Sequence, residues 1–369
     1  MKTKILLGIA IIAVVAAVFL AGCASNSQGE ETIKIGALLP LTGSAAYIGQ
    51  DVQTAIQIAS EDLAKEGISV EIVYDDHQGI SANAVTSAQK LISDNANGLF
   101  VVMSSPSAAV APVAEENRIV MISDSSADGS ALKYDFVFKD YASLRQDCGF
   151  LLKEAKKRGF NAGALLPNFE SGIGCSTGLK EVDEKIPIEL FNIDATDIRT
   201  EITKLKSKGI DFLIIYGVKD NIINILKQTK ELGFSPKIGC ISISVTCGAQ
   251  EVISVAPDVL QGAWGTQSKA SVNPDTQAFN DFSKKYFDKT GKKPSLDFAI
   301  YAYDDIILLA KALNECHNDS ECTKNKLLEI KNFEGAGGTL SFDEKGIGKR
   351  ESIIMKFENG KFVEYGGAQ

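Results

Sequence analysis

The stretch TIKIGALLPLTGSAAYIGQDVQTAIQIASEDLAKEG (residues 32–67) joins the two patterns that decide the fold class. Its first part is an apolar run that ends at Pro40, which is typical of a buried strand. In its second part, apolar residues recur at the spacing of one helix face, at Val52, Ala55, Ile56, Ala59 and Leu63. This pattern stops at Gly67. The stretch therefore predicts a buried strand followed by an amphipathic helix.

The same alternation of strand and helix patterns continues along the chain. Strand patterns are separated by helix patterns up to residue 123, and the alternation resumes after residue 145 as far as the strand pattern KIGCISIS (237–244). Strands that alternate with helices predict βαβ units and a parallel sheet covered on both faces. Two such sets predict an α/β fold with two doubly wound, Rossmann-like lobes.

The last part of the chain has a different pattern. A long helix is predicted at about 295–315, and two apolar runs flank Asn359-Gly360, a pair that favours a hairpin turn because both residues tolerate positive φ. The residues after 274 are too few for a third lobe. We therefore expect the chain to return and complete the first two lobes, with a hinge around a cleft.

The N-terminal segment has the pattern of an exported protein. Lys2 and Lys4 precede an uncharged run over residues 5–21. The run ends in Leu20-Ala21-Gly22-Cys23, which resembles the lipobox of prokaryotic lipoproteins and implies a signal peptide at 1–22, lipid on Cys23 and a polar tether at 23–31. An uncleaved N-terminal membrane anchor is the alternative. Both interpretations place the rest of the chain outside the cytoplasmic membrane and near its surface.

The composition excludes several classes of function. The 369 residues carry a formal net charge of −9, which disfavours binding to nucleic acid or anionic lipid by charge. The two histidines are His77 and His317, so a histidine-based nucleophile or metal site is not expected. HExxH and Walker A patterns do not occur, and GCSTG (174–178), which matches GxSxG in its letters, does not directly follow a predicted strand. The glycine-rich segment 172–178 also lacks the lysine of a phosphate-binding loop. We therefore expect no catalysis, no metal and no cofactor.

Six of the seven cysteines remain once Cys23 is set aside, and an even number in an exported chain favours disulfides. Spacing alone does not determine the connectivity, and buried free thiols are the alternative. A metal site is disfavoured because no CxxC pair occurs. The simplest pairing is local and joins Cys240 to Cys247 and Cys316 to Cys322, which leaves Cys148 with Cys175.

Five segments together resemble a known family, the branched-chain amino-acid-binding family of type I periplasmic binding proteins of ABC importers. The resemblance runs in order over about residues 32–360. The segments are IGALLPLTGSAAYIGQD (35–51), YDDHQGISANAVTSAQKLI (74–92), SSPSAAVAPVAEENRIVMIS (104–123), LKSKGIDFLIIYG (205–217) and IYAYDDIILLAKAL (300–313).

The resemblance implies two lobes that are joined by three crossovers and enclose a ligand. We expect residues 32–143 and 268–338 in the first lobe, and residues 144–267 and 339–369 in the second. It also explains a lipid anchor, because a binding protein without a sealed periplasm has to be held near its importer. The implied partners are a small molecule, the permease subunits and, through the lipid, the membrane; we expect a monomer.

Ligands of open α/β sheets bind at the carboxyl ends of the strands, and this rule selects the same loops as the family resemblance. Each candidate has a structural alternative. The serines before residue 108 would also cap a helix, Tyr47 would also pack against one, and Asp124 is expected to face water. The candidates for ligand binding are Tyr47, Ser104, Ser105, Asp124, Ser125, Ser126, Ser171 and Tyr216.

The second lobe departs from the family pattern. In LPNFESGIG (166–174), Pro167 stands where the family has Asp and Ser171 where it has Tyr. Relatives that bind amino acids place an acid in the loop after the KIG-type strand, but here CISISVTCGAQ (240–250) has none before Glu251. A buried ammonium without a partner is costly. We therefore expect a small polar organic ligand, a carboxylate or an amide, and doubt a standard amino acid unless Asp124, Glu170 or Asp220 supplies the partner.

The leading hypothesis for the function is a solute receptor of an ABC importer, in which closure of the lobes presents a surface to the permease. A ligand-binding sensory ectodomain is the alternative, since the same fold serves receptors. The end of the chain at Gln369 without a cytoplasmic segment favours transport. A hydrolase would need a nucleophile with a base, and neither histidine is predicted to lie near Cys175.

Overall fold

The apolar strand patterns of the first part of the chain form a five-stranded parallel sheet. The structure is a computed structural model that describes residues 32–43, 45–125, 129, 133–141, 143–272, 276–294 and 297–368. The sheet has the strand order β2-β1-β3-β4-β5 and is parallel throughout. Its strands are β1 (Ile33–Leu39), β2 (Val70–Asp76), β3 (Gly98–Val102), β4 (Val120–Asp124) and β5 (Val137–Lys139).

Helices cover both faces of this sheet, as the βαβ pattern predicts. Three of them connect its strands: α1 (Ala46–Lys65), α2 (Ser81–Ser93) and α3 (Ser104–Glu116). Successive side chains of a strand point to opposite faces. Accordingly Ile35 lies in the apolar cluster that contains Val52 of α1, whereas Leu38 lies in the cluster that contains Leu91 of α2.

The chain then crosses to a second sheet, whose first five strands are parallel in the order β7-β6-β8-β9-β10. These strands are β6 (Ala162–Pro167), β7 (Ile188–Phe191), β8 (Phe212–Ile215), β9 (Lys237–Cys240) and β10 (Trp264–Ser268). The helices of this part are α4 (Leu144–Lys157), α5 (Glu170–Val182), α6 (Arg199–Ser207), α7 (Lys219–Glu231), α8 (Gln250–Val255) and α9 (Pro257–Leu260), with a 3₁₀ turn at Ile243–Val245.

After β10 the chain returns to the first sheet. The returning helices are α10 (Lys269–Val272), α11 (Gln277–Thr290), α12 (Asp297–Glu315) and α13 (Ser320–Leu328). They lead into a small antiparallel sheet of β11 (Phe333–Gly335), β12 (Gly338–Phe342) and β13 (Gly348–Lys349). Leu340 and Phe342 of β12 lie in the same core cluster as α1 and α12. We therefore propose that the first lobe extends through β13, beyond the expected boundary at residues 338/339.

A third crossing, at residues 350–351, leads into the hairpin that completes the second sheet. It consists of β14 (Ser352–Glu358), antiparallel to β10, and β15 (Lys361–Ala368), antiparallel to β14. The predicted turn is confirmed, since Asn359 has φ 52° and Gly360 has φ 82°. The two-lobed α/β fold with three crossovers is thereby confirmed.

Three disulfides join the predicted cysteine pairs, two of them local in sequence and the third formed by the remaining two cysteines. Cys148–Cys175 links α4 to α5, Cys240–Cys247 closes the loop after β9, and Cys316–Cys322 links the end of α12 to α13. Cys23, the signal peptide and the tether lie outside the described residues. In the described part of the chain, no helix combines the length and the apolar character that crossing a membrane requires.

Candidate ligand-binding site

A cavity of about 250 Å³ is lined by residues that follow the carboxyl ends of strands in both sheets. The chain leaves each of these strands through a short loop and enters a helix or turn, so backbone amides and polar side chains collect there. The lining residues of the first lobe lie after β1, β3, β4 and β5, and those of the second lobe after β6, β8 and β9. An occupant of this cavity would contact both lobes.

On the side of the first lobe, serines at the start of α3 line the cavity. Ser104 and Ser105 are the first residues of this 13-residue helix, and Met103 before them has φ 77°. Ser125, just after β4, donates a hydrogen bond from its Oγ to the Oγ of Ser104 at 3.4 Å. Amides in the first turn of a helix have no acceptor within the helix, and the helix dipole makes this end positive. This wall suits a negatively charged group.

On the side of the second lobe, the cavity is lined by Ser171, whose hydroxyl is buried. Ser171 lies in the first turn of α5, is 2% exposed, and its Oγ has no hydrogen-bond partner among the described residues. The start of α5 lies close to the end of β6, since a Cβ on Gly172 would come 2.0 Å from the carbonyl oxygen of Pro167. Glycine at 172 thus permits the close approach that positions Ser171.

Lys219 is the one charged residue among the described residues that line the cavity. It is the first residue of α7, and its Nζ lies 3.0 Å from Oε1 of Glu251. The hydrogen bond and the charge of Glu251 raise the pKa of Lys219, so it is a cation at neutral pH. Among the described residues, no aspartate or glutamate lines the cavity.

Aromatic rings form much of the remaining wall. Tyr141 follows β5 and stacks on Phe298 of α12, with ring centroids 4.6 Å apart and an interplanar angle of 19°. Burial raises the pKa of Tyr141 well above its usual value, so this phenol is neutral. Phe169 and Tyr216 contribute two further rings from the second lobe, and Tyr47 stands at the rim with 59% of its surface exposed. Such a wall favours a ligand with an apolar or flat body.

Asp124 was expected to face water, and this expectation is wrong. The residue ends β4, inside the sheet, and is 0% exposed. Neither carboxylate oxygen has a hydrogen-bond partner among the described residues. Burial, followed by the charge of Asp140, raises its pKa well above the usual value. Burial thus favours the neutral form of Asp124, and the residue is not among the lining residues of the cavity.

Asp124 belongs to a buried cluster of charged side chains at the crossings between the sheets. Arg350, from the third crossing, lies between Asp140, from the first, and Asp304 of α12. These three side chains are at most 1% exposed. Burial also raises the pKa of Asp305 well above its usual value, and the charges of Asp140 and Asp124 act in the same direction.

The structure brings most of the predicted site residues to one cavity. Those that line it are Tyr47, Ser104, Ser105, Ser125, Ser171 and Tyr216. Ser126 lies outside the described residues. Sequence reasoning missed Tyr141 because the short strand β5 before it was not recognised, although the strand-end rule applies there. It also missed Phe298, which reaches the cavity only because α12 returns from a distant part of the chain.

Comparison with known proteins agrees with this architecture. A family model described as periplasmic binding protein matches residues 32–361. The leucine-, isoleucine-, valine-, threonine- and alanine-binding protein of Pseudomonas aeruginosa is 27% identical, over 90% of this chain and 91% of its own.

Solved structures show the same fold. A leucine-binding protein of Thermotoga maritima has a TM-score of 0.76 and 24% identity and covers 91% of this chain and 98% of its own. A solute-binding protein of a Rhodopseudomonas palustris ABC transporter, in complex with 4-hydroxybenzoate, has a TM-score of 0.77 and 18% identity, with 91% and 96% covered. Together with the matching family model, these similarities show that the chain belongs to the branched-chain amino-acid-binding family of type I periplasmic binding proteins.

Proposed function

We propose that this chain is the extracytoplasmic solute-binding component of an ABC importer and that it holds a small organic carboxylate between its lobes. One observation carries the proposal: the loops after the strands of both sheets line a single cavity. A ligand that contacts both lobes favours the closed arrangement over the open one by its differential affinity. Closure then presents a surface to the permease, and no chemical step is required.

The polar groups of the first lobe support a carboxylate as the anchoring group. Ser104, Ser105 and Ser125 place hydroxyls at the positive end of α3, where an anion is stabilised by amides and by the helix dipole. Amino acids, bound by the Pseudomonas relative, and 4-hydroxybenzoate, bound by the Rhodopseudomonas protein, share a carboxylate as their common group. The chemical classes that fit this wall are thus carboxylates and, more weakly, amides.

A thermal-shift screen of the full-length chain in mild detergent tests the proposal. The panel contains aliphatic and aromatic carboxylates, their amides, amino acids and neutral sugars. A ligand at about 100 times its dissociation constant should raise the free energy of unfolding by roughly 2.7 kcal/mol. Ser105→Ala should weaken the tightest carboxylate, whereas Ser207→Ala, on the exposed face of α6, should not. If no compound of the panel raises the unfolding temperature, the binding function is wrong.

The location near the membrane forms part of the proposal. The family implies an extracytoplasmic protein, and the segment Leu20-Ala21-Gly22-Cys23 supports removal of residues 1–22 and lipid attachment to Cys23. Mass spectrometry of the membrane-extracted protein should find an N-terminal lipidated cysteine. Cys23→Ala should abolish the lipid. An intact Met1 in the membrane-bound protein would support an uncleaved anchor instead.

The partner of the closed form is the permease of the importer, and we propose that the binding protein itself is monomeric. Light scattering should give the mass of one chain with and without ligand. Reconstituted vesicles that contain the permease and its ATPase should take up the ligand only when this chain is present. Uptake that is independent of the chain would favour a sensory role.

A further inference from the structure

We infer that, within the proposed function on which this inference rests, the solute is a carboxylate without an ammonium group. We further infer that its body is flat and that a neutral polar group at its far end pairs with Ser171. Three separate features of the cavity carry the three parts of this inference.

The claim that the solute has no ammonium group rests on the charges of the lining residues. An amino acid would bring a carboxylate and an ammonium into the cavity, and a desolvated ammonium needs an anionic partner. Among the described residues the lining has no carboxylate, and its one charged side chain is the cation Lys219. Hydroxyls of Ser104 and Ser125 can accept hydrogen bonds but carry no compensating charge. A carboxylate without an amine avoids this penalty.

The acids that the sequence offered as partners for an ammonium do not line the cavity; they are Asp124, Glu170 and Asp220. Asp124 directly precedes Ser125 but is 0% exposed and lies among the charged residues of the crossings, where burial raises its pKa well above the usual value. Glu251 is paired with Lys219 at 3.0 Å and is not a lining residue. Asp124 and Glu251 are therefore unsuited to pair with a ligand ammonium.

The claim that the body of the solute is flat rests on the aromatic rings that line the cavity. Tyr141 and Phe298 are nearly parallel, with 19° between their planes, and both line the cavity. Phe169 and Tyr216 face the same space from the second lobe. Flat walls make more contact with a planar body than with a branched one, because ring faces and edges pack closely against another ring. A cavity of about 250 Å³ limits that body to a small solute.

The claim that the solute has a neutral polar group at its far end rests on Ser171. Ser171 is a lining residue of the cavity and is 2% exposed, and its buried Oγ has no hydrogen-bond partner among the described residues. A buried hydroxyl without a partner is unfavourable, so a ligand group that bonds to it gains more than an average hydrogen bond. Ser171 is on the second lobe and the serines of α3 are on the first. A ligand with a polar group at each end would therefore connect the two lobes.

Calorimetry on the full-length chain with matched pairs of ligands tests the first two parts. The pairs are 3-phenylpropanoate with phenylalanine and 4-methylpentanoate with leucine, which differ only in the α-amine. We expect each acid to bind at least about tenfold more tightly than its amino acid, and benzoate to bind more tightly than cyclohexanecarboxylate.

The outcomes separate this inference from the proposed function. Leucine or phenylalanine binding as tightly as its deaminated partner would overturn the claim about the ammonium and leave the binding function standing. Equal affinity for benzoate and cyclohexanecarboxylate, or no binding of either, would overturn the claim about the flat body. Absence of binding by every carboxylate, amide and amino acid would remove the proposed function as well.

A comparison of 4-hydroxybenzoate with benzoate tests the role of Ser171. The native chain should prefer the hydroxylated acid by about five- to tenfold, which is the effect of one hydrogen bond to a buried group. Ser171→Ala should abolish this preference, whereas the control Ser207→Ala should keep it. A preference that survives in Ser171→Ala, with an unfolding temperature showing that the variant folds, would overturn the assignment.

Discussion

Arg350 and Asp140 form a buried ion pair that joins the third crossing between the sheets to the first. The Nε of Arg350 donates to Oδ1 of Asp140 at 2.8 Å, and a second hydrogen bond runs from its Nη2 to the other carboxylate oxygen. The Nη2 atom also lies 3.1 Å from Oδ2 of Asp304, and the guanidinium lies over the ring of Tyr301 at 4.4 Å. An ion pair thus connects the first and third crossings, in addition to the covalent chain.

The ion pair predicts that Arg350→Met is strongly destabilising. The variant removes the cation and leaves Asp140 and Asp304 buried without their partner, so we expect the free energy of unfolding to fall by about 3–5 kcal/mol. Arg199→Met is the control, since Arg199 forms its ion pairs with Asp197 and Glu231 at the surface, where the loss should be at most about 1 kcal/mol. Urea unfolding measures both. A loss at Arg350 no larger than at Arg199 would show that the buried pair contributes little.

The buried carboxyl groups predict a loss of stability as the pH rises. Burial raises the pKa of Asp304 from 3.8 to about 6 and that of Asp124 and Asp305 well above 3.8. A carboxyl whose pKa is higher in the folded than in the unfolded state stabilises the fold fully below the unfolded pKa, and this contribution is lost as the pH rises through the folded pKa. The free energy of unfolding should therefore fall from about pH 4 to pH 7.

Urea unfolding at a series of pH values measures this trend, and Asp305→Asn refines it. The amide imitates the neutral carboxylic acid, so the variant should lose less stability with rising pH than the native chain. Asp288→Asn, on the exposed face of α11, is the control and should keep the native slope. Groups such as Asp75 and Asp76, whose pKa values are lowered, act in the opposite direction below about pH 4. A flat or rising profile between pH 4 and 7 would contradict the prediction.

The disulfides predict that two cysteine replacements lower the stability alike but differ in their effect on ligand affinity. Cys240–Cys247 closes the loop that presents Ser242 and Val245 to the cavity, whereas Cys316–Cys322 lies at the far end of α12. Both close short loops, so replacing either pair by alanine should lower the stability by about 2–3 kcal/mol. Only the first replacement should also weaken the tightest carboxylate of the panel. Calorimetry on both variants checks this, and equal affinities would show that the loop keeps its shape without the bond.

Two glycines of α5 predict opposite effects of the same substitution. Gly172→Ala places a Cβ 2.0 Å from the carbonyl oxygen of Pro167, so α5 must shift, at a cost of about 1–3 kcal/mol, and ligand affinity should fall with the displacement of Ser171. Gly174→Ala meets no atom within 4 Å and should stabilise the helix by up to about 1 kcal/mol. Thermal unfolding and ligand titration measure both variants. Equal effects would show that the close approach is not maintained in solution.

The local patterns of the chain were sufficient for the fold and for part of the site. Apolar periodicity predicted the helix that became α1 because this helix buries one long face in the core of the first lobe. The same reasoning failed at KIGCISIS, where the predicted strand stops at Cys240. Ser242 takes a positive φ of 51° and the chain turns back so that Cys247 reaches Cys240. This turn depends on a disulfide partner that strand periodicity does not register.

The strand and helix patterns, the hairpin at Asn359-Gly360 and the serines at the ends of β3 and β4 followed from the sequence alone, because each depends on neighbours within a few residues. The burial of Asp124, its place beside Arg350 and the stacking of Tyr141 on Phe298 were decided only by the tertiary structure. Each brings together groups that are more than a hundred residues apart. Their energies depend on desolvation and on charges supplied by the returning chain, which no local pattern contains.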